Sequence, residues 1–172
     1  MIHSFDPSTT QGYLITSNMD IVSDIVLVWG CFDVLHYGHL KFLEAAKACK
    51  SASTSASSQN PDRTRLVVAL ESDAAIVKTK DRRVFHTQAQ RAELLDALDI
   101  VTDVLMLPLM TTDQAYMDLV KFVNPSVIAL TEGDPRLAHK THQADTVGAK
   151  IIEIPFERGF STTDLLHKYC TF

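Results

Sequence analysis

The sequence predicts an α/β fold, in which a doubly wound parallel sheet of about five strands carries helices on both faces. Two observations lead to this prediction. Short runs of β-branched and apolar residues alternate along the chain with segments of helical period, and such alternation implies right-handed crossovers in a parallel sheet. The chain has 172 residues, 46% hydrophobic and 22% charged, as expected for one ordinary globular domain.

The elements follow in order. Residues 1–23 show no sustained period and are predicted to be an N-terminal extension, followed by the domain at 24–172. Ile25–Trp29 is typical of a strand buried on both faces. Further strands are predicted at 66–70, 101–107, 127–130 and 150–154, and helices at 38–50, 87–98, 116–123 and 135–147. Residues 51–61, rich in Ser and Ala, are predicted to form a solvated low-complexity loop.

Charge and composition exclude several classes of protein. With 16 Lys and Arg against 21 Asp and Glu the net charge is −5, so no general basic field is available for nucleic acid. No apolar run approaches the roughly 20 residues that span a bilayer, and no secretory signal is visible. The three cysteines, Cys31, Cys49 and Cys170, form no CxxC pair. A protein of the reducing cytoplasm, with no membrane partner, is expected.

The segment between the first strand and the first helix, GCFDVLHYGH at residues 30–39, is the strongest candidate site. It contains neither a GxGxxG nor a GxxxxGK[ST] pattern. A helix N-terminus attracts phosphate through its free N–H groups, and His36 and His39 lie on the same side of the first turn. Gly38 lets a backbone approach closely. A zinc site is the alternative, but it requires further ligands and the nearest cysteine, Cys31, lies at an apolar strand end. The pattern therefore favours phosphate binding.

The longer string GCFDVLHYGHLKFLEAAK resembles the His-x-Gly-His signature of the cytidylyltransferase-like nucleotidyltransferases. The resemblance covers roughly residues 25–169, implies a Rossmann-like sheet, and is strongest to the adenylyltransferase domain of bacterial heptose-phosphate enzymes. It implies that His36 and His39 are catalytic, helped by Lys47 or by the cations of residues 78–91. It also implies that Asp33 steers a histidine or the metal shell. The implied nucleotide-binding residues here are Gly30, Cys31, Phe32, Asp33 and Gly38.

A basic segment follows the second predicted strand. The resemblance implies phosphate contacts from its cations, with Arg91 as the catalytic choice among them. A solvated basic loop is the alternative. The residues concerned are Lys78, Lys80, Arg82, Arg83 and Arg91.

Two later segments resemble nucleotide-binding elements of the same family. Glu132-Gly133-Asp134 follows the fourth predicted strand, where a polar turn that starts a helix at Pro135 is the alternative. Ser161-Thr162-Thr163 resembles the family element that grips the nucleotide phosphates. Capping of a helix by Ser161 is the alternative there.

The resemblance implies transfer of a nucleoside monophosphate from a nucleoside triphosphate, with ATP expected, to a phosphorylated small molecule such as a sugar 1-phosphate. Mg²⁺ is expected to bind through the triphosphate, with no metal site in the protein itself. Three alternatives stay open: a cytidylyltransferase for glycerol 3-phosphate or a related alcohol phosphate, an FMN adenylyltransferase, and a non-catalytic nucleotide-binding regulatory module. Family members commonly dimerise, so a homodimer is a further expectation.

Overall fold

Strand and helix alternate through the computed structural model, which describes residues 1–7, 24–49, 64–156 and 159–160. The strands of these residues are β1 (Ile2–Ser4), β2 (Ile25–Gly30), β3 (Arg65–Leu70), β4 (Asp103–Met106), β5 (Val127–Thr131) and β6 (Lys150–Ile154). The helices are α1 (Tyr37–Ala48), α2 (Asp73–Lys80), α3 (Gln88–Asp96), α4 (Asp113–Val123) and α5 (Leu137–Asp145). The predicted α/β class is confirmed.

The strands form one parallel six-stranded sheet in the order β1-β4-β3-β2-β5-β6. From β2 the chain first builds outward through β3 and β4, then crosses back to place β5 and β6 on the other side of β2. The order therefore reverses at β2, and in sheets of this kind ligands bind beyond the carboxyl ends of the strands at that reversal.

Residues along a strand point alternately to opposite sides of the sheet, so a continuous apolar strand presents apolar side chains on both faces. Helices cover both of these faces. Val26 and Val28 of β2 pack on one face with residues of α1 and α3. Leu27 packs on the other face with residues of α4 and α5. The central strands β2, β3 and β5 are buried on both faces, which explains why the sequence shows them as continuous apolar runs.

The sixth strand comes from the stretch predicted to be an extension. Ile2–Ser4 pairs with β4, and Phe5 is buried with its ring edge-on to Phe122 at 5.2 Å between centroids. A strand of three residues at a sheet edge is too short to show a period in sequence, so pattern analysis does not detect it. The rest of the expected extension, residues 8–23, lies outside the described residues, as does the low-complexity loop at 51–61.

Helix α2 is a second element that the pattern does not predict. Its eight residues have no clear apolar face, and only Ala75 and Ile76 are buried. Ser72 caps it by accepting a hydrogen bond from the backbone of Ala75. Two of the cations from the basic segment, Lys78 and Lys80, thus lie on a helix. Among the described residues no helix is both long and apolar enough to cross a membrane.

Candidate active site

The turn that leads from β2 into α1 brings the two motif histidines into contact. His36 occupies the N-cap of α1, and its Nδ1 accepts a hydrogen bond of 3.3 Å from the backbone N–H of His39. The rings stack with centroids 3.7 Å apart and planes inclined by 19°. Because Nδ1 of His36 accepts a bond, its proton is on Nε2 in this arrangement. A helix start, a ring N–H donor and a second imidazole therefore meet at the carboxyl edge of the sheet.

Both imidazoles are held in the neutral form. Burial lowers the pKa of His39 to about 3; the neighbouring His36 ring acts in the same direction, whereas the Val34 backbone acts against it. Burial also lowers the pKa of His36. At neutral pH the pair consists of two neutral rings, which can donate hydrogen bonds to phosphate oxygens without two positive charges repelling each other.

The loop before the histidines has an unusual backbone. Phe32 and Val34 adopt positive φ values of 47° and 63°. For a β-branched residue such as Val34 this region is strained, and such strain persists only where surrounding contacts determine it. Phe32 supplies one contact: its ring is buried in the core and lies 5.0 Å from the His39 ring. The Phe32 ring thus packs beside His39 in the core, and the nucleotide contact predicted for Phe32 stays a prediction.

Asp33 supplies the second contact. Its carboxylate is buried, pairs with Arg82, and accepts backbone N–H bonds from Phe85 at 3.2 Å and His86 at 3.1 Å. Burial alone would raise the pKa of Asp33, but the bonds from Arg82 and these two N–H groups lower it. The expected steering of a histidine or metal shell by Asp33 is replaced by anchoring of the 82–86 loop. Arg82, predicted to bind phosphate, is the partner in this anchor.

Arg91 is a buried junction rather than a phosphate contact. The residue is 1% exposed, and its guanidinium donates to the carbonyls of Cys31, His86 and Glu71 and to the carboxylate of Asp73, the last at 2.7 Å. It therefore ties the ends of β2 and β3 to α2 and α3. The prediction that Arg91 contacts substrate is wrong, because these partners use its donors away from solvent; it is a positioning residue.

The group that lies close to Gly38 in the structure is part of the protein, and the predicted close approach of this backbone to a phosphate stays a prediction. A Cβ on Gly38 would lie 2.9 Å from the carbonyl oxygen of Phe160 and 3.2 Å from Cε1 of His36. The rings of Tyr37 and Phe160 are 5.0 Å apart. The chain at Phe160 thus passes against the histidine turn immediately before Ser161. The predicted segment Ser161-Thr162-Thr163 itself lies outside the described residues.

Lys47 does not belong to the site. It lies near the end of α1, and its Nζ donates to the carbonyl of Thr64 at 2.6 Å, just before β3 begins. This is the amino edge of the sheet. A helix rises about 1.5 Å per residue, so Lys47 lies roughly 16 Å along α1 from His36. The predicted catalytic role of Lys47 is wrong for this reason.

Three of the predicted phosphate-binding cations, Lys78, Lys80 and Arg83, are exposed. Two predicted nucleotide-binding residues, Cys31 and Gly30, lie at the end of β2, and Lys80 is near enough to Cys31 to act on its thiol electrostatically. Burial is the main cause that raises the pKa of Cys31, so this thiol is not an activated nucleophile. A Cβ at Gly30 would meet the Phe32 ring at 3.2 Å, which gives this glycine a packing role.

The turn after β5 agrees in part with the alternative interpretation of this segment, a polar turn that starts a helix. Asp134 accepts a bond from the backbone of Arg136 at 2.7 Å and pairs with Lys140 at 2.8 Å, so its carboxylate organises the start of α5. The nucleotide contact predicted for Asp134 stays a prediction beside this structural role. Glu132 and Gly133 are exposed at the same carboxyl edge, with Gly133 at a φ of 76°. Their roles stay predictions.

Sequence analysis missed a polar cluster at this edge. Glu71 follows the last residue of β3, Tyr116 lies on α4, and the two side chains are joined by a hydrogen bond of 2.8 Å. Lys140 of α5 lies 4.4 Å from the centre of the Trp29 ring. The one available signal was the position of Glu71 directly after a buried strand.

Comparisons with known proteins identify the family. The model of the cytidylyltransferase-like family matches residues 27–165. This chain belongs to that family of nucleotidyltransferases. Membership confirms the resemblance carried by residues 30–39.

Two curated relatives illustrate the similarity. The bifunctional protein HldE of Campylobacter jejuni subsp. doylei is 32% identical over 145 residues, which cover 84% of this chain and 27% of that protein. HldE of Coxiella burnetii (strain Dugway) is 34% identical over 149 residues, with the same coverage of 84% and 27%. The chain thus spans about a quarter of the length of these relatives.

A solved structure supports the fold. The lipopolysaccharide core biosynthesis protein from Thermoplasma volcanium superposes with a TM-score of 0.56 at 20% identity, covering 78% of this chain and 96% of that one. At this identity the likeness shows the fold alone, and it agrees with the Rossmann-like sheet expected of the family.

Proposed function

We propose that this chain transfers a nucleoside monophosphate from a nucleoside triphosphate, ATP in preference to CTP, to the phosphate of a small molecule such as a sugar 1-phosphate, with release of pyrophosphate. The observation that carries the proposal is the stacked pair of neutral histidines, His36 and His39, at the start of α1. Family membership supports the reaction class. The resemblance to heptose-phosphate adenylyltransferases supports ATP and a sugar phosphate.

The reaction needs positioning more than acid–base chemistry. A phosphate oxygen of the acceptor attacks the α-phosphorus, a new P–O bond forms, and the bond to the β-phosphate breaks as pyrophosphate leaves. The attacking oxygen is already anionic, so no strong base is required. Nε2–H of His36 and the ring of His39 donate to phosphate oxygens on which charge grows, and the free N–H groups at the start of α1 add to this stabilisation.

Mg²⁺ fits this site as a part of the substrate. Within residues 1–7, 24–49, 64–156 and 159–160, no group of three or more His, Cys, Asp or Glu side chains is placed to hold a metal ion. The buried carboxylate of Asp33 is already used by Arg82 and backbone N–H groups. We therefore propose that Mg²⁺ arrives on the triphosphate and keeps several waters, where it neutralises phosphate charge.

Other residues take supporting roles in the proposal. Exposed Lys80, near Cys31, adds positive charge at the edge that receives the phosphates. Ser161, Thr162 and Thr163 directly follow Phe160, which lies against the histidine turn, and their hydroxyl groups are proposed to bind the triphosphate. Glu132 and Gly133 are proposed to face the nucleotide.

The test is pyrophosphate release with each of ATP, CTP, GTP and UTP against heptose 1-phosphate, glycerol 3-phosphate and FMN, measured separately. ATP with the sugar phosphate is expected to exceed CTP by at least roughly tenfold, about 1.4 kcal/mol of discrimination. Preference for CTP with glycerol 3-phosphate, or for ATP with FMN, would replace the substrate assignment. Nucleotide binding without pyrophosphate release in any pair would indicate a regulatory module.

A further inference from the structure

A second polar cluster lies at the carboxyl edge, on the face of the sheet opposite α1. Its members are Trp29 near the end of β2, Glu71 just after β3, Tyr116 on α4, and Lys140 on α5. Trp29 and Tyr116 belong to the core on that face, and their rings stack with centroids 6.3 Å apart. The cluster shares β2 with the histidine turn, so one ligand at the switch point can meet both.

Glu71 is fixed in this place by its backbone. Its N–H donates to the carbonyl of Gly30 at 3.0 Å, and its own carbonyl accepts from Arg91 at 2.9 Å. The residue is only 8% exposed. The Oε1 atom accepts the bond from Tyr116, whereas Oε2 is buried and has no hydrogen-bond partner within the described part of the chain. A buried carboxylate oxygen without a donor is destabilising, so the site favours a ligand that supplies one.

The neighbouring cations do not take this place. Lys140 is already paired with Asp134 at 2.8 Å and lies over the Trp29 ring. Arg136 is exposed; it acts electrostatically on Glu71 and both electrostatically and through a side-chain hydrogen bond on Tyr116. Because its side chain is exposed, a ligand can replace Arg136 at Tyr116 without disturbing the core.

We propose that Glu71 and Tyr116 form a subsite for the hydroxyl groups of the acceptor, which places the acceptor in the class of polyhydroxylated monophosphates. This inference rests on the proposed function, because the phosphate end of the same molecule is assigned to the histidine turn. Glu71 Oε2 accepts a bond from a ligand hydroxyl, and the Tyr116 oxygen, which donates to Glu71, accepts from another ligand hydroxyl in place of Arg136.

Burial raises the pKa of Glu71, whereas Tyr116, Arg136 and Lys140 favour its charged form, and the charge of that form sets the specificity of the subsite. A carboxylate accepts hydrogen bonds from neutral hydroxyl groups but repels a second phosphate. The acceptor is thereby oriented, with its single phosphate toward His36 and His39 and its uncharged end toward Glu71. Glycerol 3-phosphate has a shorter chain and fewer hydroxyl groups, so it gains less from the subsite than a sugar 1-phosphate does.

The experiment compares Glu71→Gln and Tyr116→Phe with the wild-type protein, and uses Glu93→Gln as a control on the exposed side of α3. Calorimetric titration with heptose 1-phosphate is expected to show about tenfold weaker binding for both variants, about 1.4 kcal/mol. Binding of ATP should stay within about twofold, since that ligand lies at the histidine turn. Glu71→Gln should also bind a sugar bisphosphate better, relative to the monophosphate, than the wild type does.

Thermal unfolding of each variant shows that it is folded, and Tyr116→Phe keeps the packed ring even where Glu71→Gln is destabilised. Equal loss of affinity for ATP and for heptose 1-phosphate would indicate a merely structural role and overturn the subsite. The subsite would also be overturned if both variants bound heptose 1-phosphate as tightly as the Glu93→Gln control, or if the wild-type protein bound no heptose 1-phosphate. Glu71-dependent binding without any pyrophosphate release would retain the subsite and reject the proposed function. If the wild-type protein releases pyrophosphate and both variants bind heptose 1-phosphate as the wild type does, the proposed function is retained and the subsite is rejected.

Discussion

At the residue scale, the proposed chemistry rests on two stacked neutral imidazoles. His36 accepts from the His39 backbone through Nδ1, so its remaining ring N–H points away from the helix start. Removal of one donor to transition-state charge reduces kcat by about 10²–10³. We therefore expect His36→Ala and His39→Ala each to lower kcat on this scale in the pyrophosphate-release assay.

The exposed His142 on α5 provides the matched control, and His142→Ala should retain wild-type kcat. Far-UV circular dichroism of all three variants verifies their helix content. If both motif variants keep kcat within about threefold of the wild type, the transition-state role of the pair is rejected.

The buried state of His39 also predicts how stability depends on pH. Its pKa is lowered from 6.5 to about 3 by burial. Below pH 6.5 the unfolded chain therefore binds a proton that the folded chain does not bind until about pH 3. The contribution of neutral His39 to the free energy of unfolding is fully present above pH 6.5. As the pH is lowered from 6.5 toward 3, the free energy of unfolding falls by up to about 1.4 kcal/mol for each pH unit. His39→Gln should flatten the decline between about pH 7 and 5.

Urea unfolding at several pH values measures this slope. His142→Gln, a change at an exposed ring, should leave the slope as in the wild type. A slope that His39→Gln does not alter would mean that His39 is protonated in the folded protein and not held neutral by burial.

At the scale of elements, the start of α1 and the chain at Phe160 are fitted together through Gly38. An added Cβ would lie 2.9 Å from the Phe160 carbonyl oxygen and 3.2 Å from His36 Cε1. Replacement of a helical glycine by alanine gains about 0.5–1 kcal/mol, whereas overpacking costs about 1–3 kcal/mol. Overpacking is the larger effect, so Gly38→Ala should lower the melting temperature and reduce kcat through displacement of His36.

Differential scanning calorimetry and steady-state kinetics check this prediction, with Lys41→Ala on the exposed side of α1 as the control. A Gly38→Ala variant that is more stable than the wild type and fully active would show that Phe160 does not pack against this turn.

The same element shows what sequence could and could not predict. β2, the start of α1 and the histidine pair follow from local patterns, since an apolar run, a helical period and a spacing of three are all visible in sequence. The burial of Arg91 depends on carbonyls at Cys31 and Glu71, which lie 60 and 20 positions away, and no local pattern contains them. The error at Lys47 was avoidable, because helix length alone places it at the opposite edge.

At the scale of the whole molecule, the reversal of strand order at β2 explains why the candidate groups meet. β2 is the strand between β3 and β5, so its carboxyl end is next to elements from both halves of the chain. The histidine turn lies on the α1 face, and the Glu71–Tyr116 pair lies on the α4 face. Alternation of strands and helices predicted this architecture, whereas the three-residue edge strand β1 is recognised only through its pairing with β4.

The measurement that tests the central claim most directly follows the α-phosphate itself. ATP labelled at that phosphate is incubated with Mg²⁺ and heptose 1-phosphate, and the products of the wild-type protein and of the His36→Ala/His39→Ala double variant are separated. The wild type is expected to transfer the label to the sugar phosphate with one pyrophosphate released per transfer, and the double variant to lose at least about 10²-fold of this rate. Equal transfer by the double variant, or release of pyrophosphate with the label left in free AMP, would contradict nucleotidyl transfer at the histidine pair.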